Sequence, residues 1–263
     1  KAQLPEFFIE RLTKKGDAVH DPFMGRGTTP IQAALMERKA FGNDINPLSI
    51  ILTRPRMRTV NAQEVSNALK SINFKNGEIL RKDLLAFYHK KTLIGLEALK
   101  KWLNINAPLS KKNPNPIADW IRMVAINRLS GHSPGFFSGR SMPPNQAVSI
   151  KAQQKINIKL GLNPPAKDIE ALINRKTNSL LKKGWFPRKA NFSLHVGSAT
   201  HTPKIKNSSI DLVVTSPPFL DIVDYAADNW LRCWFAGIDP SNVNISAHKT
   251  KEDWTEMVHN VLK

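Results

Sequence analysis

The sequence predicts an α/β fold: a parallel sheet of the nucleotide-binding type, incomplete within the chain, carrying a largely helical basic insert. Three observations lead there. Apolar runs at 18–21, 39–44, 192–197 and 210–215 read as strands, and each ends in an acid, a glycine turn or a rigid loop. Helical periodicity fills the gap between the first two runs, giving the first half of a βαβ unit. Positive charge is segregated: residues 55–190 hold 25 Lys and Arg against 7 Asp and Glu, while the rest of the chain has 14 of each, so the whole net charge of +18 lies in the middle.

The elements follow in order. Residues 4–15 place Phe7, Phe8 and Leu12 at helical spacing behind Pro5, and Gly16-Asp17 stops the helix. Ala18-Val19-His20 is a short strand running into Asp21. Thr29–Glu37 carries Ile31, Ala34 and Leu35 on one helical stripe, and residues 39–44 form a second strand ending on Asp44. The alternation then breaks. Helices are expected at 65–72, 92–103, 118–129 and 166–183, and a long turn-rich loop at 130–149. Strands resume at 192–197 and 210–215, followed by helices at 228–235 and 252–262. The domain reading is 1–54 and 191–263 as two halves of the sheet domain, with 55–190 inserted.

Composition narrows the function. An excess of charge confined to half a chain is the footprint of a polyanion-binding surface. The single cysteine, Cys233, rules out an internal disulfide and a multi-cysteine zinc site, and no metal is expected. No apolar run is long enough for a membrane span. A reducing, cytoplasmic setting in contact with the nucleoid is the expectation.

Two strings carry chemistry. Asp21-Pro22-Phe23-Met24-Gly25-Arg26-Gly27-Thr28-Thr29 is a strand end bent by glycines into a helix N-terminus, where free N–H groups suit an anionic group. A dinucleotide fingerprint would place a third glycine at residue 30, which is Pro. Asp44, seventeen residues beyond Gly27, suits a carboxylate accepting ribose hydroxyls; a turn or helix cap before Pro47 is the alternative. The second string, Thr215-Ser216-Pro217-Pro218-Phe219, follows Ile210–Val214. An exocyclic base amine is a poor nucleophile because its lone pair is delocalised. The Ser216 hydroxyl and the Pro217 carbonyl can each accept one of its N–H groups, the prolines fix φ, and Phe219 offers a face for a flipped base. Alone, such a string is an ordinary turn.

Together and in this order, the two strings resemble the cofactor loop and catalytic loop of the N4-cytosine/N6-adenine DNA methyltransferases. The resemblance covers about 1–50 and 192–235, with the family's alpha-like motif order and the insert as target-recognition region. It implies a Rossmann-like methyltransferase sheet and S-adenosylmethionine as cofactor. Asp21, Pro22, Phe23, Gly25, Gly27 and Thr28 would line the methionine half of the cofactor, Asp44 the ribose, and Ser198 in Gly197-Ser198-Ala199 the adenine side. It makes Ser216, Pro217, Pro218 and Phe219 catalytic. Serine before the prolines favours N4 of cytosine over N6 of adenine. It also implies three further strands beyond Lys263. An RNA or protein-glutamine methyltransferase, or a DNA-binding fragment that no longer turns over, are the alternatives. Cys233 lacks the preceding Pro of the carbon-5 cytosine enzymes and reads as core.

The expected partner is double-stranded DNA with a flipped target base, with a cognate restriction endonuclease as a further candidate. Arg140 is a candidate for guanine and Asn145 or Gln146 for adenine; Phe136 and Phe137 would wedge into the stack or else anchor their loop. Lys151, Lys155, Lys159, Lys182, Lys183 and Arg188 are phosphate candidates.

Overall fold

The computed structural model describes residues 2–141, 148–182, 190–219, 225–240, 243 and 250–262. In chain order the elements are α1 (Gln3–Leu12), β1 (Ala18–Asp21), α2 (Thr28–Leu35), β2 (Lys39–Asp44), α3 (Pro47–Thr53), a 3-10 turn (Arg54–Met57), α4 (Ala62–Lys70), a second 3-10 turn (Lys82–Ala86), α5 (Lys90–Asn106), α6 (Pro116–Ile126), α7 (Ile150–Leu160), α8 (Ile169–Leu181), β3 (Phe192–Val196), β4 (Leu212–Val213), α9 (Tyr225–Ala236) and α10 (Lys251–Leu262). They form two compact units: Lys1–Thr59 with Trp185–Ala226 and Asp239–Lys263, and Val60–Gly184 with Ala227–Ile238.

The first unit is built on a parallel sheet in the order β3-β2-β1-β4. All four expected strands are in it. β1 is buried along its whole length and pairs on both edges, Val19 with Ala40 of β2 on one side and Leu212 of β4 on the other. One face is closed by α1 and α2: Ile9, Ala33 and Ala34 pack on Val19 and Ala40, with Phe192, Leu194 and Leu212 against them. Gly42 sits in β2 because a Cβ there would fall 2.5 Å from the Met24 sulfur. β4 is shorter than expected. Its ladder covers Leu212–Val213, since the Asp211 carboxylate takes the Ala18 N–H at 2.7 Å, and backbone pairing then runs on to Val214 N–H on the His20 carbonyl at 3.0 Å.

Strand order reverses at β1: β2 and β3 lie to one side of it and β4 to the other. In open α/β sheets, such a switch point leaves a crevice at the carboxyl ends of the strands, where ligands bind. The Asp21–Thr29 turn leaves β1 there, and Thr215–Phe219 leaves the neighbouring β4.

The second unit is helical. Its core includes Leu84, Phe87, Leu93, Leu96, Leu99, Leu103, Ile121, Val124 and Ile173. Two of its buried side chains are paired across helices and loops: the Trp120 indole donates to the Thr177 hydroxyl at 3.1 Å, and the Tyr88 hydroxyl to the Leu129 carbonyl at 3.0 Å. Arg122 is buried on α6, and its guanidinium donates to the Leu103 and Ala107 carbonyls at the carboxyl end of α5, where orphan carbonyls and the helix dipole favour a cation.

Two helices lie where the sequence reading placed none. Asn46 caps α3 by accepting the Leu48 N–H, with Pro47 at its first position. Ser149 caps α7, and Gly161 closes it at φ +58°. These terminal signals stand in the sequence, but the body of α7 has no clean apolar stripe, and Ile158 is 82% exposed.

Arg122→Met keeps the stem and removes the donors: the Leu103 carbonyl keeps the Ala107 N–H at 2.8 Å, and the Ala107 carbonyl loses the guanidinium. Equilibrium denaturation is expected to show a loss of about 1–3 kcal/mol for the abandoned Ala107 carbonyl. An unchanged midpoint and slope would show that the Ala107 carbonyl has another partner.

Candidate active site

The turn after β1 is held by glycine geometry and backbone capping. Gly25 and Gly27 take φ of +50° and +75°, and Gly27 is the N-cap of α2. A side chain at Gly27 would also strike Thr53, whose Oγ1 would lie 2.2 Å from the new Cβ. Pro22 and Met24 are buried and Phe23 half-buried, and the Met24 N–H donates to the Asn43 carbonyl at 3.0 Å. Thr28 is exposed at the first turn of α2, which carries no acidic residue to compete with an incoming anion.

Asp44, at the carboxyl end of β2, faces this turn. Its carboxylate accepts the Gly25 and Asn46 N–H groups, both at 2.8 Å. The capping alternative therefore describes what Asp44 does in the structure. Each carboxylate oxygen has a second lone pair, and the residue is half-buried, so accepting a ribose hydroxyl remains compatible with that geometry. Burial raises the Asp44 carboxyl above its ordinary pKa, opposed by hydrogen bonds from Asn46, Gly25 and Ser49.

Asn43 went unnoticed in the sequence. It is buried, and its amide donates to the Gly197 carbonyl at 3.0 Å and the Ser198 carbonyl at 3.2 Å, fixing the end of β3 against that of β2. A cavity of about 250 Å³ opens there, lined by Asn43, His195, Gly197, Ser198, His201 and Lys204 among others. Ser198 is exposed, with its hydroxyl 2.8 Å from that of Thr200. The only sequence signal for Asn43 was its place before Asp44 at a strand end.

Asp21 joins the two loops. It is buried, and its Oδ1 accepts the Phe23 N–H at 3.1 Å and the Thr215 hydroxyl at 2.6 Å. Burial pushes its carboxyl up to about 6, against the pull of hydrogen bonds from Thr215, Phe23 and Thr29. Next to it in β1, burial and the nearby His195 lower the His20 imidazole to about 4. Beyond Thr215, Ser216 is exposed, Pro217 and Pro218 are half-buried, and Phe219 is 67% exposed. The Trp254 indole donates to the Pro218 carbonyl at 2.7 Å.

The DNA candidates lie elsewhere. Arg140 and Lys182 are exposed, while Asn145, Gln146, Lys183 and Arg188 lie outside the described residues. Phe136 and Phe137 are buried in the helical unit. Arg128 lies over the Phe136 ring at 4.2 Å, Gly131 presses against that ring, and the Phe137 N–H donates to the Arg128 carbonyl at 2.8 Å. This corrects the wedge reading: both rings anchor their loop. Cys233 is buried, and burial pushes its thiol up to about 11, which disfavours a thiolate nucleophile. Among the described residues no group of three acids, histidines or cysteines could hold a metal ion, and no helix is long and apolar enough to cross a membrane.

The Asp21 shift fixes the sign of a pH effect. The folded state holds the proton more tightly than the unfolded chain, so the contribution to stability is full below about pH 4 and is lost as pH rises through about 6. Asp21→Asn keeps an acceptor for Thr215 and Phe23 and removes the buried charge. In the ligand-free protein at pH 7.5 the variant is expected to be more stable by roughly 2–3 kcal/mol, a gain that fades toward pH 4. Equal stabilities across that range would show that Asp21 is not buried as a charge.

Known proteins are similar to this chain in sequence. A family model described as DNA methylase matches residues 2–51. The type II methyltransferase M.BsoBI of Geobacillus stearothermophilus is 25% identical over 92% of this chain and 52% of its own length. M.MvaI of Kocuria varians is 23% identical over 83% of this chain and 50% of its own. M.MjaII of Methanocaldococcus jannaschii is 33% identical over 29% of this chain and 14% of its own. The chain spans about half the length of the first two of these relatives. No solved structure matches it.

Proposed function

Because the chain belongs with the amino-methylating DNA methyltransferases, we propose that it transfers a methyl group from S-adenosylmethionine to an exocyclic amine of a base in duplex DNA, N4 of cytosine in preference to N6 of adenine. The observation that carries this reading is the Thr215–Asp21 hydrogen bond at 2.6 Å. It joins the start of the Ser216-Pro217-Pro218-Phe219 loop to the Asp21–Thr28 turn at the switch point of the sheet.

The residues at this point fit the cofactor. Positive-φ glycines leave backbone approachable, the N-terminus of α2 suits the methionine carboxylate, Asp44 has lone pairs for ribose hydroxyls, and the cavity beside Asn43 and Ser198 suits the adenine. When bound, S-adenosylmethionine supplies an electrophilic methyl group. The Ser216 hydroxyl and the Pro217 carbonyl accept the two N–H groups of the base amine, drawing nitrogen toward tetrahedral geometry and freeing its lone pair. Phe219 exposes a ring on which the flipped base stacks. No covalent bond to the protein is needed, in keeping with the buried Cys233.

The basic insert is the DNA-binding part. Lys151, Lys155 and Lys159 are exposed at four-residue spacing along α7, a row suited to phosphates, and Lys182, exposed at the end of α8, is a further phosphate candidate. The Gln153 amide donates to the Arg140 carbonyl at 2.9 Å, tying α7 to the loop that carries this candidate base reader; Asn145 and Gln146, outside the described residues, remain candidates by sequence. The relatives are type II methyltransferases by name, so a cognate restriction endonuclease is the partner to seek, with action at the nucleoid.

The test is transfer of labelled methyl from S-adenosylmethionine to duplex oligonucleotides, followed by digestion to nucleosides. N4-methylcytosine is the expected product. N6-methyladenine would reassign the base, and label in RNA or protein with none in DNA would overturn the reading. In calorimetry, Asp44→Ala is expected to weaken cofactor binding by about 1.5–3 kcal/mol; unchanged affinity would leave Asp44 as a backbone cap alone. Replacing Lys151, Lys155 and Lys159 together with Ala is expected to weaken all DNA alike and to reduce the salt slope of binding by roughly 0.9 for each phosphate no longer neutralised. An unchanged slope would remove α7 from the interface.

A further inference from the structure

We propose that Thr215 and Trp254 are positioning residues that hold the Ser216–Pro218 loop from its two ends and so aim the acceptors of the base amine. The proposal rests on the reading of Ser216 and Pro217 given above. Two consecutive prolines create a specific difficulty. Neither Pro217 nor Pro218 has an N–H, so this stretch cannot be fixed by backbone donation and must be held through carbonyls and flanking side chains. Proline fixes φ at both positions and restricts ψ of the residue before each, Ser216 and Pro217, to the extended region. The remaining freedom lies where the loop leaves Thr215 and where it leaves Pro218.

Among the described residues a hydrogen bond stands at each of these places. At the start, the Thr215 hydroxyl donates to Asp21 at 2.6 Å, and Asp21 is itself buried and bound by the Phe23 N–H. At the end, the Trp254 indole N–H, a donor with no acceptor capacity, donates to the Pro218 carbonyl at 2.7 Å. Trp254 is placed by α10, whose first turn is capped by the Thr250 hydroxyl accepting the Asp253 N–H at 3.1 Å. The indole occupies the Pro218 carbonyl and not that of Pro217, the carbonyl assigned to the base amine. No residue of α10 is buried, so Trp254 can be changed without opening a core.

The experiment compares single-turnover methyl transfer, binding of S-adenosylhomocysteine and thermal melting in the intact enzyme. Trp254→Phe keeps an aromatic ring and removes the donor. It is expected to slow transfer by about 10- to 100-fold, the scale of a small misplacement of a reacting group, with S-adenosylhomocysteine affinity within twofold and an unchanged melting temperature. Thr215→Val is expected to slow transfer similarly, and Thr215→Ser, which retains the hydroxyl, to restore it. Ser216→Ala serves as the reference for loss of an acceptor. If Ser216→Ala is slow while Trp254→Phe and Thr215→Val transfer at the wild-type rate, the positioning proposal fails and the proposed function stands. If melting falls in step with rate, or Thr215→Ser is as slow as Thr215→Val, the contacts are structural and the proposal fails. If wild type transfers no methyl to a base amine, the functional reading fails and takes this proposal with it.

Discussion

Parallel pairing of β1 on both of its edges is the constraint on which the rest depends. A four-residue strand, buried throughout, can be central only if each neighbour satisfies one side of its backbone, and β2 and β4 do this from opposite directions in the sheet. Because β1 comes first in the chain and β4 last, residues far apart in sequence end side by side. Asp21 and Thr215 are 194 positions apart and 2.6 Å apart through their side chains. The helical insert is accommodated between β2 and β3 without disturbing that pairing, since closing a long connection costs only slowly more as it lengthens.

Burial at this junction bears on electrostatics as well as shape. Asp21 and His20 are adjacent on β1, and burial acts on both in favour of the neutral form, raising the acid to about 6 and lowering the base to about 4. Their contributions to stability run in opposite directions between those values: that of Asp21 falls as pH rises and that of His20 grows. The wild-type pH profile can therefore be flat across a range in which each group is strongly perturbed. Three hydrogen bonds favour the charged form of Asp21 against burial, and one of them comes from Thr215, at the start of the Ser216–Phe219 loop.

What could be read in the sequence was local. The glycine turn, the acid ending the second strand, the proline loop and the four strands each rest on residue types within a few positions of one another, and the structure has all of them, with β4 cut back to Leu212–Val213. Contacts across the sheet were not readable. Asn43 reaches Gly197, Trp254 reaches Pro218, and nothing in their neighbours' identities reveals either. Phe136 and Phe137 show the converse failure: two aromatics in a polar loop looked available for DNA, but Gly131 and Arg128 make a place for one ring and the core takes the other. For α7, caps stand at both ends, but the lysine row obscures the periodicity of its body.

The proposed function needs the turn after β1 and the ends of β2 and β3 to form one cofactor site. Hydrogen exchange measured with and without S-adenosylhomocysteine tests it most directly, since it reads backbone protection residue by residue. New protection is expected at 23–28, 44–46 and 197–200, with the helices of 60–184 unchanged. Protection confined to 60–184, with the β1 turn exchanging as before, would contradict it.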